Sequence, residues 1–261
     1  MSVTPASARS AVPHSRQTAL GLTLAGCVAG GWLALHMLDV FLLSWRTALL
    51  LAPFTIALQC WLSVGLFIVA HDAMHGSLAR FRPGVNRGIG RVVLLLYAGI
   101  WYDDLVARHF AHHRAPGTEH DPDFAGDGRL AVWRWFGSFF LEYLSVGQMV
   151  RLAGATALYV FALHVAPQRL LLFWAVPALL SAGQLFYFGT YLPHRREEEG
   201  FGDDHRARSN QFSWTLSLLT CFHFGYHHEH HSHPSVPWWS LPAMRAASAE
   251  RAEPAAPPLP R

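Results

Sequence analysis

The chain is 261 residues long, 52% hydrophobic and 13% aromatic, with only 14% charged residues and a formal net charge of +3. Soluble domains carry about 25% charged residues, so this composition points to a membrane protein. The basicity is weak and scattered, carried by arginine alone, and with no accompanying motif it gives no argument for a nucleic-acid partner, so none is expected. Cys27, Cys60 and Cys221 form no CxxC pair and read as buried, inert thiols rather than a zinc ribbon or disulfide framework.

Residues 1–18 are polar and read as a disordered tail. An apolar segment from about Ala19 to Leu38 has no convincing small-residue cleavage site after it, so it is expected to be a transmembrane helix rather than a signal peptide. A turn around Asp39–Arg46 leads to a second apolar stretch, about Thr47 to Ala70, and both are near the ~20 residues that span a bilayer. Residues 71–148 are largely polar. The interruption at Val92–Tyr102 is too short to cross and is expected to be an interfacial or re-entrant helix.

Apolar residues resume at Gly147–Ala166 and Leu170–Leu192, an antiparallel pair joined by Pro167-Gln168-Arg169, with Ser181, Ala182, Gly183 and Gln184 facing protein rather than lipid. Beyond them no further span is expected. Phe212–Phe224 reads as an amphipathic helix; Pro234, Pro237 and Pro242 end the helices after it, and Trp238-Trp239 suit the interface as aromatic anchors. The expected fold is an all-α integral membrane protein of about four transmembrane helices with a histidine-rich cytosolic cap. It forms one domain over 19–245, between disordered tails at 1–18 and 246–261.

Charge tests this parity. With the N-terminus inside, four spans put 71–148 and 193–261 on one side; 71–148 carries eight arginines, whereas the two outer turns carry Arg46 and Arg169. The positive-inside rule makes the first side cytosolic. All histidine clusters then share that side, as a common metal site requires.

Those clusters are His71-Asp-Ala-Met-His75, His109-Phe-Ala-His112-His113 and His223-Phe-Gly-Tyr-His227-His228-Glu-His230-His231. The first is spaced i, i+4 and the second i, i+3, i+4. In the third, positions 223, 227, 230 and 231 share roughly 100° of a helical face. Neutral imidazole is a common ligand for transition metals, and burying so many imidazoles unpaired would be costly. Eight histidines in three boxes exceed one tetrahedral site. Few carboxylates among them fit iron or copper better than magnesium or calcium, and the Glu-x-x-His pairs of soluble di-iron bundles are missing. A two-iron, oxygen-activating site leads, with copper and zinc left open by ligand type.

The boxes His71-x-x-x-His75, His109-x-x-His112-His113 and His227-x-x-His230-His231 resemble those of the membrane fatty acid desaturase/hydroxylase superfamily. The words HDAMHG at 71–76, PGTEHDPDF at 116–124, FGTYLPHR at 188–195 and LLTCFHFGYHHEHH with HPSVPWW narrow the likeness to the bacterial β-carotene ketolases, over roughly residues 45–245. The resemblance implies two iron ions held by His71, His75, His109, His112, His113, His227, His230 and His231, with His194 as an additional ligand and His223 as a candidate ligand or neighbour of one. Asp72, Asp121, Asp123 and Glu229 would orient imidazole N–H groups.

It also implies two O2-dependent hydroxylations at C4 of a β-ionone ring, loss of water from the geminal diol, a carotenoid entering from the bilayer, and an external electron donor such as ferredoxin. Aromatic and small residues of 174–191 would line the substrate tunnel. The expected location is the bacterial inner membrane with a cytoplasmic active site. Rival readings are a fatty acyl desaturase or carotenoid 3-hydroxylase on the same scaffold, or a non-catalytic membrane metal-binding protein; a transporter would favour ionisable residues nearer mid-bilayer.

Overall fold

A computed structural model of the chain describes residues 14–126, 130–196 and 200–252, and among them every extended regular element is helical. Helix α1 runs His14–Met37 and continues as a π turn through Leu42. It starts inside the stretch expected to be a tail, because Gln17 and Thr18 are buried: Gln17 donates to the Ser77 carbonyl at 2.8 Å, and Thr18 Oγ1 accepts from the Arg80 amide at 3.1 Å. Helix α2, Trp45–Met74, is capped by Ser44, whose hydroxyl accepts from the Thr47 amide at 3.2 Å. It ends four residues beyond the expected end of the span, with His71 on its last turn and His75 at its C-cap.

Helix α3, Pro83–Ala98, opens on proline and closes at Gly99 in the left-handed conformation. It is longer than the expected interfacial piece and lies along α2. Helix α4, Tyr102–Arg114, carries the second box. Helices α5, Val132–Tyr143, and α6, Val146–Ala157 with a π turn to Ala162, meet at an 83° bend. Helix α7 runs Pro167–His194 with two π segments. Helices α1, α2 and α7 are long and apolar enough to cross a membrane. In place of the one continuous span expected over Gly147–Ala166, the α5–α6 pair is so only when its two bent halves are taken together, as a broken span or a re-entrant loop, so the chain has three or four candidate spans. The chain is an all-α membrane protein, as expected.

Helix α2 is the axis of the bundle. It packs on α1, α3 and α7, and its residues from Leu62 to Met74 dominate the main core with Trp32, Leu94 and Phe222. At the opposite end Arg169 donates to the carbonyls of Asp39 and Leu43, at 2.6 and 2.7 Å, tying the two turns there together. The expected protein-facing polar residues of α7 are confirmed at two positions: Ser181 is buried, and Gln184 donates to the Leu219 and Thr220 carbonyls.

The expected continuous helix into the third box does not form. Helix α8, Trp214–Cys221, ends where Phe222 and His223 adopt positive φ of 48° and 63°, and α9, His227–Ser232, starts afresh. Two consecutive left-handed residues reverse the chain, so His223 does not share a helical face with His227. Helix α10, Leu241–Ala252, occupies part of the expected C-terminal tail. Residues 1–13 and 253–261 of the expected tails lie outside the described residues.

Candidate metal centre

The last turn of α2, helix α4, the end of α7 and the short α9 converge at one end of the bundle and bring nine histidines into two groups. One holds His71, His75, His109, His113 and His230; the other holds His112, His194, His227 and His231, and within each group one ring nitrogen per residue lies within 4.8 Å of the others. Each HxxHH box is divided between them. Its i, i+4 members, His109 with His113 and His227 with His231, serve one group, while the i+3 member, turned about 100° from the residue after it, serves the other.

The nitrogens crowd as ligands of a shared ion do. His75 and His109 approach to 2.6 Å between Nε2 atoms, His113 and His230 to 3.0 Å, His112 and His231 to 3.1 Å, and His227 and His231 to 3.0 Å. Two nitrogens about 2.1 Å from one ion and at right angles are about 3.0 Å apart. Each group also contains a buried Nε2 with no hydrogen-bond partner, His71 in the first and His194 in the second. Orphaned buried polar atoms are costly, and a cation would satisfy both. An all-imidazole donor set suits a transition metal rather than magnesium or calcium. These residues form two groups, each of which could hold a metal ion.

Burial keeps most of these rings neutral, as ligation requires. It pushes His75 down to about 4 and, with the neighbouring His75 and His112 rings, His113 down to about 2. His109, His227, His230 and His231 are held well below the ordinary value, first by burial and then by the neighbouring imidazoles of the two groups. His112 goes the other way: burial opposes its charge, but Asp123 and Asp121 outweigh that and raise it.

The four carboxylates expected around the imidazoles behave differently from one another. Asp121 Oδ1 lies 2.9 Å from His112 Nδ1 and its other oxygen accepts from the Gly117 amide, so it fixes the ring with Nε2 toward the centre. Asp123 is 3.8 Å from the same Nδ1 and accepts from the Tyr143 hydroxyl. Asp72 does not orient His71: its nearer oxygen is 4.0 Å from Nδ1, and its other oxygen accepts from the Trp238 amide at 3.2 Å, pinning the Trp-Trp segment. Glu229 touches no imidazole either, because Arg245, at 3.1 Å, and the Ser209 hydroxyl hold it.

His223 stands outside both groups, packed among Trp214, Tyr226 and Trp238. His120 is exposed, and His228 pairs with Asp203 at 2.7 Å. Sequence reasoning missed Tyr143 and the Arg206 carbonyl, which lies 2.8 Å from His194 Nδ1 and aims that ring as Asp121 aims His112. Neither carries a spacing signal, since a backbone carbonyl and one aromatic in an aromatic-rich helix look like any other.

An apolar cavity of about 640 Å³ opens from the histidines. His71, His109, His112 and His227 line its head, with Asp123 and Tyr143 as nearby polar groups, and Phe224 packs against the His71 and His227 rings at 4.6 and 4.7 Å. Trp174, Ala178, Ala182 and Gly189 extend it along α7, within the stretch expected to line a tunnel.

A profile of the fatty acid desaturase family matches residues 43–152 and 144–260. The chain is 47% identical over 212 residues to a β-carotene ketolase of Paracoccus sp. strain PC1, covering 80% of this chain and 85% of that protein. This chain belongs to the fatty acid desaturase family, beside the β-carotene ketolases. A second Paracoccus ketolase, from strain N81106, is 45% identical over 221 residues, covering 84% of this chain and 89% of the relative. One from Haematococcus lacustris is 36% identical over 255 residues, covering 85% and 79%. The matched residues include all three histidine boxes and His194.

Proposed function

We propose that this chain is a membrane di-iron oxygenase that introduces a keto group at C4 of the β-ionone rings of β-carotene, through the monoketone echinenone to the diketone canthaxanthin. The observation that carries this reading is the juxtaposition of two imidazole groups with an apolar cavity at their edge. The ketolase names of the relatives supply the substrate class, and that of a β-carotene 4-ketolase of Haematococcus lacustris supports the position of attack.

Under this reading His71, His75, His109, His113 and His230 hold one iron, and His112, His194, His227 and His231 the other. Two irons so held would supply the reductive activation of O2 and the oxidising power to break an aliphatic C–H bond. The chain's own residues do the rest. Asp121 and the Arg206 carbonyl keep His112 and His194 in one tautomer and one orientation. Phe224, packed on His71 and His227, walls the head of the cavity and limits water around the reacting carbon.

Two hydroxylations at one carbon, each consuming O2, two electrons and two protons, give a geminal diol that loses water to the ketone. The electrons come from a separate donor protein such as a ferredoxin. The arginine excess of the loops carrying the histidine boxes favours a cytoplasmic active site in an inner membrane. The one-domain reading over 19–245 is kept, with its helices extending at least from His14 to Ala252.

Expression in a β-carotene-producing host, followed by pigment chromatography, tests the reading. Echinenone and canthaxanthin are expected. A product that gains oxygen without losing two hydrogens identifies a hydroxylase, and unchanged β-carotene beside a working control enzyme rejects carotenoid oxidation altogether.

A further inference from the structure

The cavity beside the histidines is much longer than one ring requires. On α7 its lining positions Leu170, Trp174, Ala178, Ala182, Leu185 and Gly189 recur every three or four residues, so a single helical face forms the floor along its whole length. From Leu170 to Gly189 that face measures roughly 28 Å at 1.5 Å per residue, close to the ~30 Å thickness of a bilayer's hydrocarbon core. The groove therefore follows the span from the histidines to the turn at the opposite end, where Arg169 ties the chain to Asp39 and Leu43.

Its two ends differ from its middle. At the histidine end the walls are close: a Cβ on Gly189 would sit 3.1 Å from the Phe224 ring. In the middle, Ala178 and Ala182 keep the floor low, which suits a flat conjugated chain lying against the helix. At the far end Trp174 stands on Tyr159, stacked with centroids 5.6 Å apart, beside the buried Leu170. The flank is open, for Leu171, Leu179 and Met149 line the groove yet remain 64%, 56% and 50% exposed on what is the lipid side of a membrane protein. An apolar molecule can enter sideways from the bilayer without crossing water.

Resting on the ketolase reading above, we infer that this groove is a length gauge for an extended C40 carotenoid, whose unreacted ring docks on Leu170 and Trp174 while the other ring lies among Phe224, His71 and His227. The match between groove length and an all-trans C40 chain places both rings in contact with protein at once. Selectivity for length follows, because a shorter molecule with one β-ionone ring reaches the histidines but forfeits every contact at Trp174. The ring that reacts and the ring that anchors are then about a membrane thickness apart, so one ring is presented to the metal centre in each binding event.

The test uses the full-length, iron-loaded protein in lipid nanodiscs with a reductant. Its substrates are β-carotene and an apocarotenoid that keeps one β-ionone ring on a polyene short enough to end before Ala178, roughly 16 Å from Gly189 along the helix. In the wild type kcat/KM is expected to favour β-carotene at least tenfold, mostly through KM. In Ala178→Trp, whose new ring obstructs the middle of the groove, the ratio of β-carotene to apocarotenoid efficiency should fall at least tenfold. Turnover of the short substrate there reports an intact fold and metal centre. Trp174→Ala should lower the same ratio by raising KM for β-carotene.

A wild type that ketolates both substrates equally well, or an Ala178→Trp variant that loses both in proportion, overturns the gauge and leaves the ketolase reading standing. Failure of the wild type on both substrates overturns the ketolase reading and the gauge with it.

Discussion

His113 and His231 stack with ring centroids 4.3 Å apart and planes 22° apart, although they belong to different imidazole groups. The two groups thus share a wall rather than standing as separate sites. Replacing His231 by Ala removes a nitrogen from the four-membered group and the stacking partner of the five-membered one. We expect iron content to fall from about two per chain to below one, with loss of ketolase activity, as read by metal analysis of the purified protein. Full occupancy of both positions in that variant would remove His231 from the ligand set.

Asp121 acts through His112. Asn in its place keeps the shape but weakens the charge-assisted contact on Nδ1, and partners of this kind are worth about 10–100-fold in metal affinity or activity. Asp121→Asn is therefore expected to lower iron affinity by about that factor, measured by chelator competition. Glu229→Gln, whose carboxylate faces Arg245 and Ser209 instead, should leave iron affinity within about twofold of the wild type. Equal losses in the two variants would make the Asp121 effect a matter of folding.

The metal-free protein should lose stability in mild acid. His75 and His113 are held down to about 4 and about 2, whereas in the unfolded chain each titrates near 6.5. Between those values the unfolded state binds more protons, so stability is fully present above about pH 6.5 and declines as pH falls toward 4. His112, raised by Asp123 and Asp121, has the opposite sign and contributes stability that is lost as pH rises. Asp123, raised first by burial, has the same sign as His112, and both oppose the more numerous depressed rings. The thermal midpoint in detergent should be flat near pH 8 and drop below pH 6.5; a constant midpoint to pH 5 would contradict the buried neutral rings.

Metal removal should affect the fold as well as the reaction. With the ions gone, His71 and His194 each bury an unpartnered Nε2 at the junction of α2, α4, α7 and α9. Chelation should therefore lower the thermal midpoint and expose the box segments to amide exchange, and iron(II) should restore both. Restoration of activity without recovery of the midpoint would confine the metals to chemistry.

Gly65 tests the packing that positions the third box. A Cβ there would lie 2.7 Å from the Phe222 ring and 2.9 Å from Val28, inside the main core. Gly65→Ala should destabilise the protein by about 1–3 kcal/mol through overpacking, seen as a lower midpoint in thermal unfolding. The left-handed turn at Phe222 and His223 would be displaced with it.

Much of this protein is written locally. Helical spacing fixes His109 with His113 and His227 with His231 as neighbours, because a ligand pair at i, i+4 needs only a helix. Continuous apolar runs announce α1, α2 and α7 for the same reason, since a bilayer demands about 20 apolar residues whatever surrounds them. What spacing leaves open is the partner of each face. The division of the nine histidines into five and four depends on the angles at which α2, α4, α7 and α9 meet, and those come from packing around Leu66, Leu94 and Phe222.

The same holds for the exclusions. His223 belongs to the third cluster by spacing, yet the left-handed turn at Phe222 and His223 takes it away from both imidazole groups. Asp72 and Glu229 sit beside ligands in sequence and face a backbone amide and an arginine in space. Residue spacing by itself therefore determined the chemistry available to this chain, and the tertiary structure decided which atoms meet, because convergence of distant helices is a property of the packed core and not of any one segment.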